Sequence, residues 1–120
     1  MANILTVDDS ASMRQMVSYT LQTAGHTVTE AKDGVEALEL AKKNDFQLVV
    51  TDVTMPNMDG ITLTRELRSL SNYKYTPILT LTTESGQQIK EKGKQAGATG
   101  WLIKPFNPEQ LLLTIKRVLD

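Results

Sequence analysis

Two rhythms of apolar spacing alternate along the chain. Asn3-Ile-Leu-Thr-Val7 is a short β-type run. Residues 11–24 then place Met13, Met16, Val17, Thr20, Leu21 and Ala24 on one helical stripe, closed by Gly25. Those methionines read as core rather than partner surface. Thr27-Val-Thr-Glu30 is a second strand, and Asp33-Gly-Val-Glu36 is a capping box opening a helix through Val35, Leu38 and Ala41. The unbroken apolar run from Phe46 to Thr51 suits a strand buried on both faces. After the loop Met55–Gly60, a third helix shows Ile61, Leu63, Thr64, Leu67 and Leu70. Residues 77–81 form strand four, 86–96 a weak helix and 100–103 strand five. Asn107 caps a last helix with Pro108 at its first position and a stripe of Leu111, Leu112, Ile115, Val118 and Leu119. Strands alternating with helices predict an α/β fold, a (βα)5 doubly wound parallel sheet with right-handed crossovers. Its ligand site should lie beyond the carboxyl ends of the strands, where strand order reverses.

Composition narrows the function. The chain has 120 residues, 40% of them hydrophobic, which is enough for one folded domain spanning 1–120. It has no cysteine and one histidine, so disulfides, thiolate metal sites and multi-histidine metal sites are excluded. His26 sits in a loop and reads as inert. No apolar run approaches the roughly 20 residues of a membrane helix, and no signal peptide is visible, so a cytoplasmic protein without a membrane role is expected. Net charge is −1, which argues against a nucleic-acid partner. Acids are concentrated in the first half and bases in the second, consistent with one acidic site and one basic face.

The strand ends carry the chemistry. Asp8 and Asp9 follow strand one, Asp52 ends strand three, Thr82 and Thr83 end strand four, and Lys104-Pro105 follows strand five. Carboxylates gathered at one sheet edge repel by about 4 kcal/mol per pair at 4 Å with an effective dielectric of 20. They therefore need cations. Lys104 supplies one, and a hard divalent ion with oxygen ligands, best Mg2+, supplies the rest. No activated serine, strand-end histidine or glycine-rich phosphate loop is present. A carboxylate nucleophile forming an aspartyl phosphate remains, with a metal, a lysine and a hydroxyl around the phosphoryl group. Asp8, Asp9, Asp52, Thr82 and Lys104 meet that need.

These residues, with Val53-Thr-Met-Pro-Asn-Met-Asp-Gly60, Ala96-Gly-Ala98 and Lys104-Pro-Phe106, resemble the CheY-type response-regulator receiver domains over nearly the whole chain. The resemblance implies a flavodoxin-like sheet in the order 2-1-3-4-5 and Asp52 as acceptor of a phosphoryl group from a sensor histidine kinase. It implies that Mg2+ is held by Asp9 and Asp52 directly, by Asp8 mostly through water and by the Thr54 carbonyl. Lys104 would contact the phosphoryl group, with a cis bond to Pro105. Thr82 and the residue at 101 would form the switch, although Trp101 stands where the family usually has Tyr or Phe. Thr54 and Glu84 would tune the lifetime of the phosphorylated state. The fourth helix is poorly anchored, with interior Gly93 costing roughly 1 kcal/mol relative to Ala. That helix, strand five and the fifth helix read as the output surface.

The leading expectation is therefore a signalling receiver that takes a phosphoryl group from a histidine kinase and self-catalyses its own transfer and dephosphorylation, rather than an enzyme acting on other substrates. It would be a monomer in chemotaxis that contacts the flagellar motor switch and a dephosphorylating partner. A phosphorelay shuttle is the alternative. A Mg2+-dependent phosphatase with an aspartyl nucleophile is less favoured, because Thr54 stands where its acid/base Asp belongs. A flavodoxin-like electron carrier would need a phosphate loop where Asp8-Asp9-Ser10 lies.

Overall fold

The computed structural model describes residues 2–120. Five parallel strands, β1 (Asn3–Val7), β2 (Thr27–Ala31), β3 (Leu48–Thr51), β4 (Ile78–Thr82) and β5 (Gly100–Ile103), lie in the order β2-β1-β3-β4-β5. Helices α1 (Ala11–Thr23), α2 (Gly34–Lys43), α3 (Gly60–Arg68), α4 (Gln87–Ala96) and α5 (Pro108–Leu119) alternate with them. The chain moves outward from β1 to β2, then returns to β3 on the other side of β1. That reversal opens the crevice at the carboxyl ends of β1 and β3. The fold is the flavodoxin-like arrangement expected from the sequence.

Strand side chains alternate between two cores. Leu5, Val7, Val49 and Ile78 pack with Ala37, Ala41, Leu63 and Leu67 of α2 and α3. Ile4, Leu48, Val50, Leu79 and Leu81 face Val17, Leu21, Leu111 and Ile115 of α1 and α5. Each large side chain so buried contributes about 1.5–3 kcal/mol. A third, smaller cluster of Val53, Ile61 and Ala96, with Ile89 and Trp101 against it, lies under α4. No helix among the described residues is long and apolar enough to cross a membrane.

Several local readings shift. The α1 stripe is rotated: Ser18 is buried while Met16 is 50% exposed, so only Met13 joins the core from that pair. In the α2 capping box, Asp33 Oδ1 accepts from Glu36 N–H at 2.9 Å, but the Glu36 carboxylate accepts from Lys32 N–H at 2.7 Å rather than from the cap residue. Strand three starts at Leu48, not Phe46, because the Phe46 N–H donates to the Tyr73 hydroxyl at 3.2 Å. Strand four starts after Pro77, which has no N–H to donate. Helix α3 stops at Arg68, and a 3-10 turn (Ser71–Tyr73) follows that the apolar spacing does not reveal. The turn buries Tyr73, whose hydroxyl donates toward the carbonyls of Ala41 and Asn44. His26 has a structural part: its Nδ1 accepts from the Ala2 N–H at 3.1 Å.

Candidate functional site

The end of β1 delivers two carboxylates into different surroundings. Asp8 is 4% exposed, and its N–H still pairs with the Ala31 carbonyl at 3.1 Å, as a continuation of the sheet. Its Oδ1 accepts from Ser10 N–H at 2.9 Å, and its carbonyl accepts from Arg14 Nη1 at 2.7 Å. Asp9 is exposed. Asp52 follows β3, with its N–H on the Val7 carbonyl at 2.9 Å. Its Oδ1 accepts from Val53 N–H at 2.7 Å. The β3–α3 loop returns so closely that a Cβ on Gly60 would lie 2.0 Å from the Asp52 carbonyl oxygen, so only glycine fits there.

Lys104 reaches this group from the end of β5. Its N–H continues the β4–β5 ladder to the Thr82 carbonyl at 2.8 Å. Its Nζ donates to Asp8 Oδ2 and to Asp52 Oδ2, both at 3.1 Å. Burial works against the ammonium, but the bonds to Asp52 and Asp8 outweigh it and hold its pKa above the ordinary lysine value. Burial likewise pushes the Asp8 carboxyl up, more than the Ser10 N–H and Lys104 pull it down. Three carboxylates with one ammonium leave a surplus of negative charge. Asp8, Asp9 and Asp52 each offer an oxygen within 4.8 Å of the others. Hard oxygen donors at that spacing fit a divalent cation of the Mg2+ type.

The remaining predicted site residues meet at Glu84 rather than at the carboxylates. The fully buried Thr82 hydroxyl accepts from Glu84 N–H at 3.2 Å. The Thr54 hydroxyl donates to Glu84 Oε2 at 3.2 Å. Trp101 Nε1 donates to the Glu84 carbonyl at 2.8 Å. The Trp101 ring lies over Gly93, where an added Cβ would stand 2.5 Å from Cζ3. The Lys104–Pro105 bond is cis. Sequence reasoning missed the supports: Ser10, whose hydroxyl also caps α1 on Met13 N–H, and Arg14 behind Asp8. The serine before an apolar helix was a readable cap signal. Arg14 carried no signal of its kind.

Residues 4–116 match the family described as the response regulator receiver domain. Chemotaxis protein CheY-3 of Vibrio cholerae is 41% identical over 98% of this chain and 88% of its own length. The solved structure of Vibrio cholerae chemotaxis protein CheY4 is 56% identical, with a TM-score of 0.95 over 98% of both chains. The receiver domain of the Pseudomonas aeruginosa sensor histidine kinase PA1611, solved with a magnesium ion in its active site cleft, is 30% identical. Its TM-score is 0.91, over 98% of this chain and 97% of that one.

Proposed function

This chain belongs to the response regulator receiver domain family and is a phosphorylation-dependent switch of two-component signalling with chemotaxis relatives; we propose that Asp52 is its phosphoacceptor and that Mg2+ is its metal. The observation that carries the reading is Lys104 Nζ at 3.1 Å from both Asp8 and Asp52, beside an exposed third carboxylate. Bound at Asp8, Asp9, Asp52 and the Thr54 carbonyl, Mg2+ would neutralise the carboxylates and the incoming phosphoryl oxygens. An Asp52 oxygen bonds to phosphorus as the N–P bond of the kinase's phosphohistidine breaks, and the imidazole leaves with the electron pair. The charge delivered, about −2, draws the Lys104 ammonium and the Thr82 hydroxyl toward the phosphoryl group. Transfer and later hydrolysis are thus performed by the receiver on itself. Thr54 stands where an aspartyl-nucleophile phosphatase carries its acid/base Asp, which argues against turnover of other phosphate esters.

The single domain at 1–120 acts as a cytoplasmic monomer, taking phosphate from a sensor histidine kinase. It signals by contact of its α4–β5–α5 face with a protein, the flagellar motor switch being the first candidate. The chemotaxis names of its relatives support that choice. Acetyl phosphate with Mg2+ should add one labile phosphoryl group by intact mass, and Asp52→Asn should not be labelled. Full labelling of the Asn variant overturns the assignment. Motor-switch protein that binds equally with and without beryllofluoride overturns the proposed target.

A further inference from the structure

The two ends of α4 are held very differently. At the C-terminal end Gly97 adopts φ 110, and the N–H groups of Gly97 and Ala98 return to the carbonyls of Lys94 and Gly93, both at 3.0 Å. The Gly97 carbonyl is then gripped by Arg68, the last residue of α3, through Nε at 3.1 Å and Nη2 at 2.8 Å. The Nη1 of the same guanidinium donates to the carbonyls of Tyr73 at 2.7 Å and Thr76 at 2.6 Å. One half-buried side chain therefore ties α3, the connection into β4 and the end of α4. Arg68 takes part in none of the ion pairs among the described residues, so its charge is met by backbone carbonyls. Lysine has no planar fork with which to copy this. The two buried residues of α4, Gly93 and Ala96, both lie in its second half.

The N-terminal end has no comparable polar hold; its anchor is the half-buried Ile89, packed against the cluster of Val53, Ile61 and Ala96. Gly86 caps it without a side-chain bond, the first turn has no acidic residue, and residues 85–88 are exposed. What reaches that end is Glu84, through the Thr82 hydroxyl, the Thr54 hydroxyl and the Trp101 indole. Those are the contacts a phosphoryl group on Asp52 would disturb. When Thr82 turns its hydroxyl to the phosphoryl group, the Glu84 N–H loses its acceptor.

We propose that Arg68 is the fixed pivot of the output helix, so that phosphorylation swings the Gly86 end of α4 about a stationary Gly97. Arg68 is a positioning residue in this scheme, 16 positions from Asp52 in sequence and acting only through α4. The proposal rests on Asp52 as phosphoacceptor. It places the region of changing shape at residues 83–90, with Trp101 on Gly93 at the boundary between moving and fixed halves.

The test is backbone NMR on the full chain, with Mg2+ alone and with Mg2+ plus beryllofluoride. In wild type the amide shifts should concentrate in residues 83–90, with residues 94–98 keeping their shifts and their exchange protection. In Arg68→Lys the changes should spread through 94–98, with exchange there faster by about tenfold. Equal shifts at both ends of α4 in wild type overturn the pivot without any variant. So does a folded Arg68→Lys that keeps the wild-type gradient. If beryllofluoride shifts none of the amides around Asp52, Val53 and Lys104, the phosphoacceptor reading fails and the pivot falls with it. Shifts there without a gradient along α4 defeat the pivot alone.

Discussion

Replacing Lys104 by Met removes the ammonium that stands 3.1 Å from both Asp8 Oδ2 and Asp52 Oδ2, while keeping most of the side-chain stem. Asp8 and Asp52 are 4% and 9% exposed, so neither carboxylate has bulk water to turn to. The cluster oxygens lie within 4.8 Å of one another. At an effective dielectric of 20, one pair of unit charges at 4.8 Å repels by about 3.5 kcal/mol. Measured losses on breaking one partner out of a buried ion pair are of the same size, about 3–5 kcal/mol. Burial already holds the Asp8 carboxyl above its ordinary value, so losing the ammonium is felt less as the pH is lowered. Urea unfolding in chelator at pH 7 should therefore show Lys104→Met destabilised by about 3 kcal/mol. The loss should shrink as the pH is lowered. A carboxyl whose folded pKa lies above its unfolded value binds more protons folded than unfolded, so stability rises as pH falls between the two. Adding Asp52→Asn removes one of the crowded charges and should recover most of the loss, and millimolar Mg2+ should do the same by mass action. Equal stability of Lys104→Met and wild type at pH 7 refutes the electrostatic reasoning. So does a double-mutant cycle whose coupling stays within about 0.5 kcal/mol of zero.

The Ser18 hydroxyl is buried with no hydrogen-bond partner, so Ser18→Ala should raise stability by about 1 kcal/mol in thermal or urea unfolding. Asp33 is held below its ordinary 3.8 by the Glu36 N–H first and then by Asn57 Nδ2. Its contribution is therefore present above pH 3.8 and is lost as pH falls through the depressed folded value. Asp33→Ala should cost about 1 kcal/mol at neutral pH and flatten the acid limb of the stability profile in pH-dependent urea unfolding. Gly93→Ala should destabilise by about 1–2 kcal/mol, since about 1 kcal/mol of helix propensity is outweighed by overpacking against Trp101. In a Trp101→Phe background the same change should become neutral or stabilising, and a penalty that persists there would place the clash elsewhere.

The sheet was legible because short β-type runs are separated by helical spacing, and burial on both faces leaves strands such as Leu48–Thr51 with no polar alternation to misread. The site was legible because a doubly wound sheet puts strand-end residues at one edge, and three carboxylates, Asp8, Asp9 and Asp52, and the Lys104 ammonium stand at the ends of β1, β3 and β5. What stayed hidden depends on partners distant in sequence. Arg68 looks like an ordinary basic residue in a last helical turn, and its grip on Gly97 spans 29 positions. Tyr73 is polar enough to read as loop, yet it is fully buried because its hydroxyl satisfies backbone groups of the α2–β3 connection. The α1 stripe was misjudged at Met16 and Ala24, which are exposed, and at Ser18, which is buried although it is less hydrophobic than either.

Gly93 and Trp101 look like two separate departures from local expectation, a glycine inside a helix and an indole where a smaller ring is usual. The geometry makes them one feature. An indole carries an N–H that reaches the Glu84 carbonyl at 2.8 Å, a bond that phenylalanine has no donor to make. Its second ring then needs room where α4 crosses β5, and an added Cβ at Gly93 would intrude to 2.5 Å. The helix gives up propensity at one position so that Trp101 can hold the loop leading from Thr82. Local rules broken beside a functional site are commonly compensated by a contact that sequence order does not display. An indole fixed at its nitrogen and flanked by the helix backbone has little freedom to rotate alone. If Thr82 relays phosphorylation as proposed, the change would reach α4 through the backbone of Glu84, with the indole carried along rather than swinging independently.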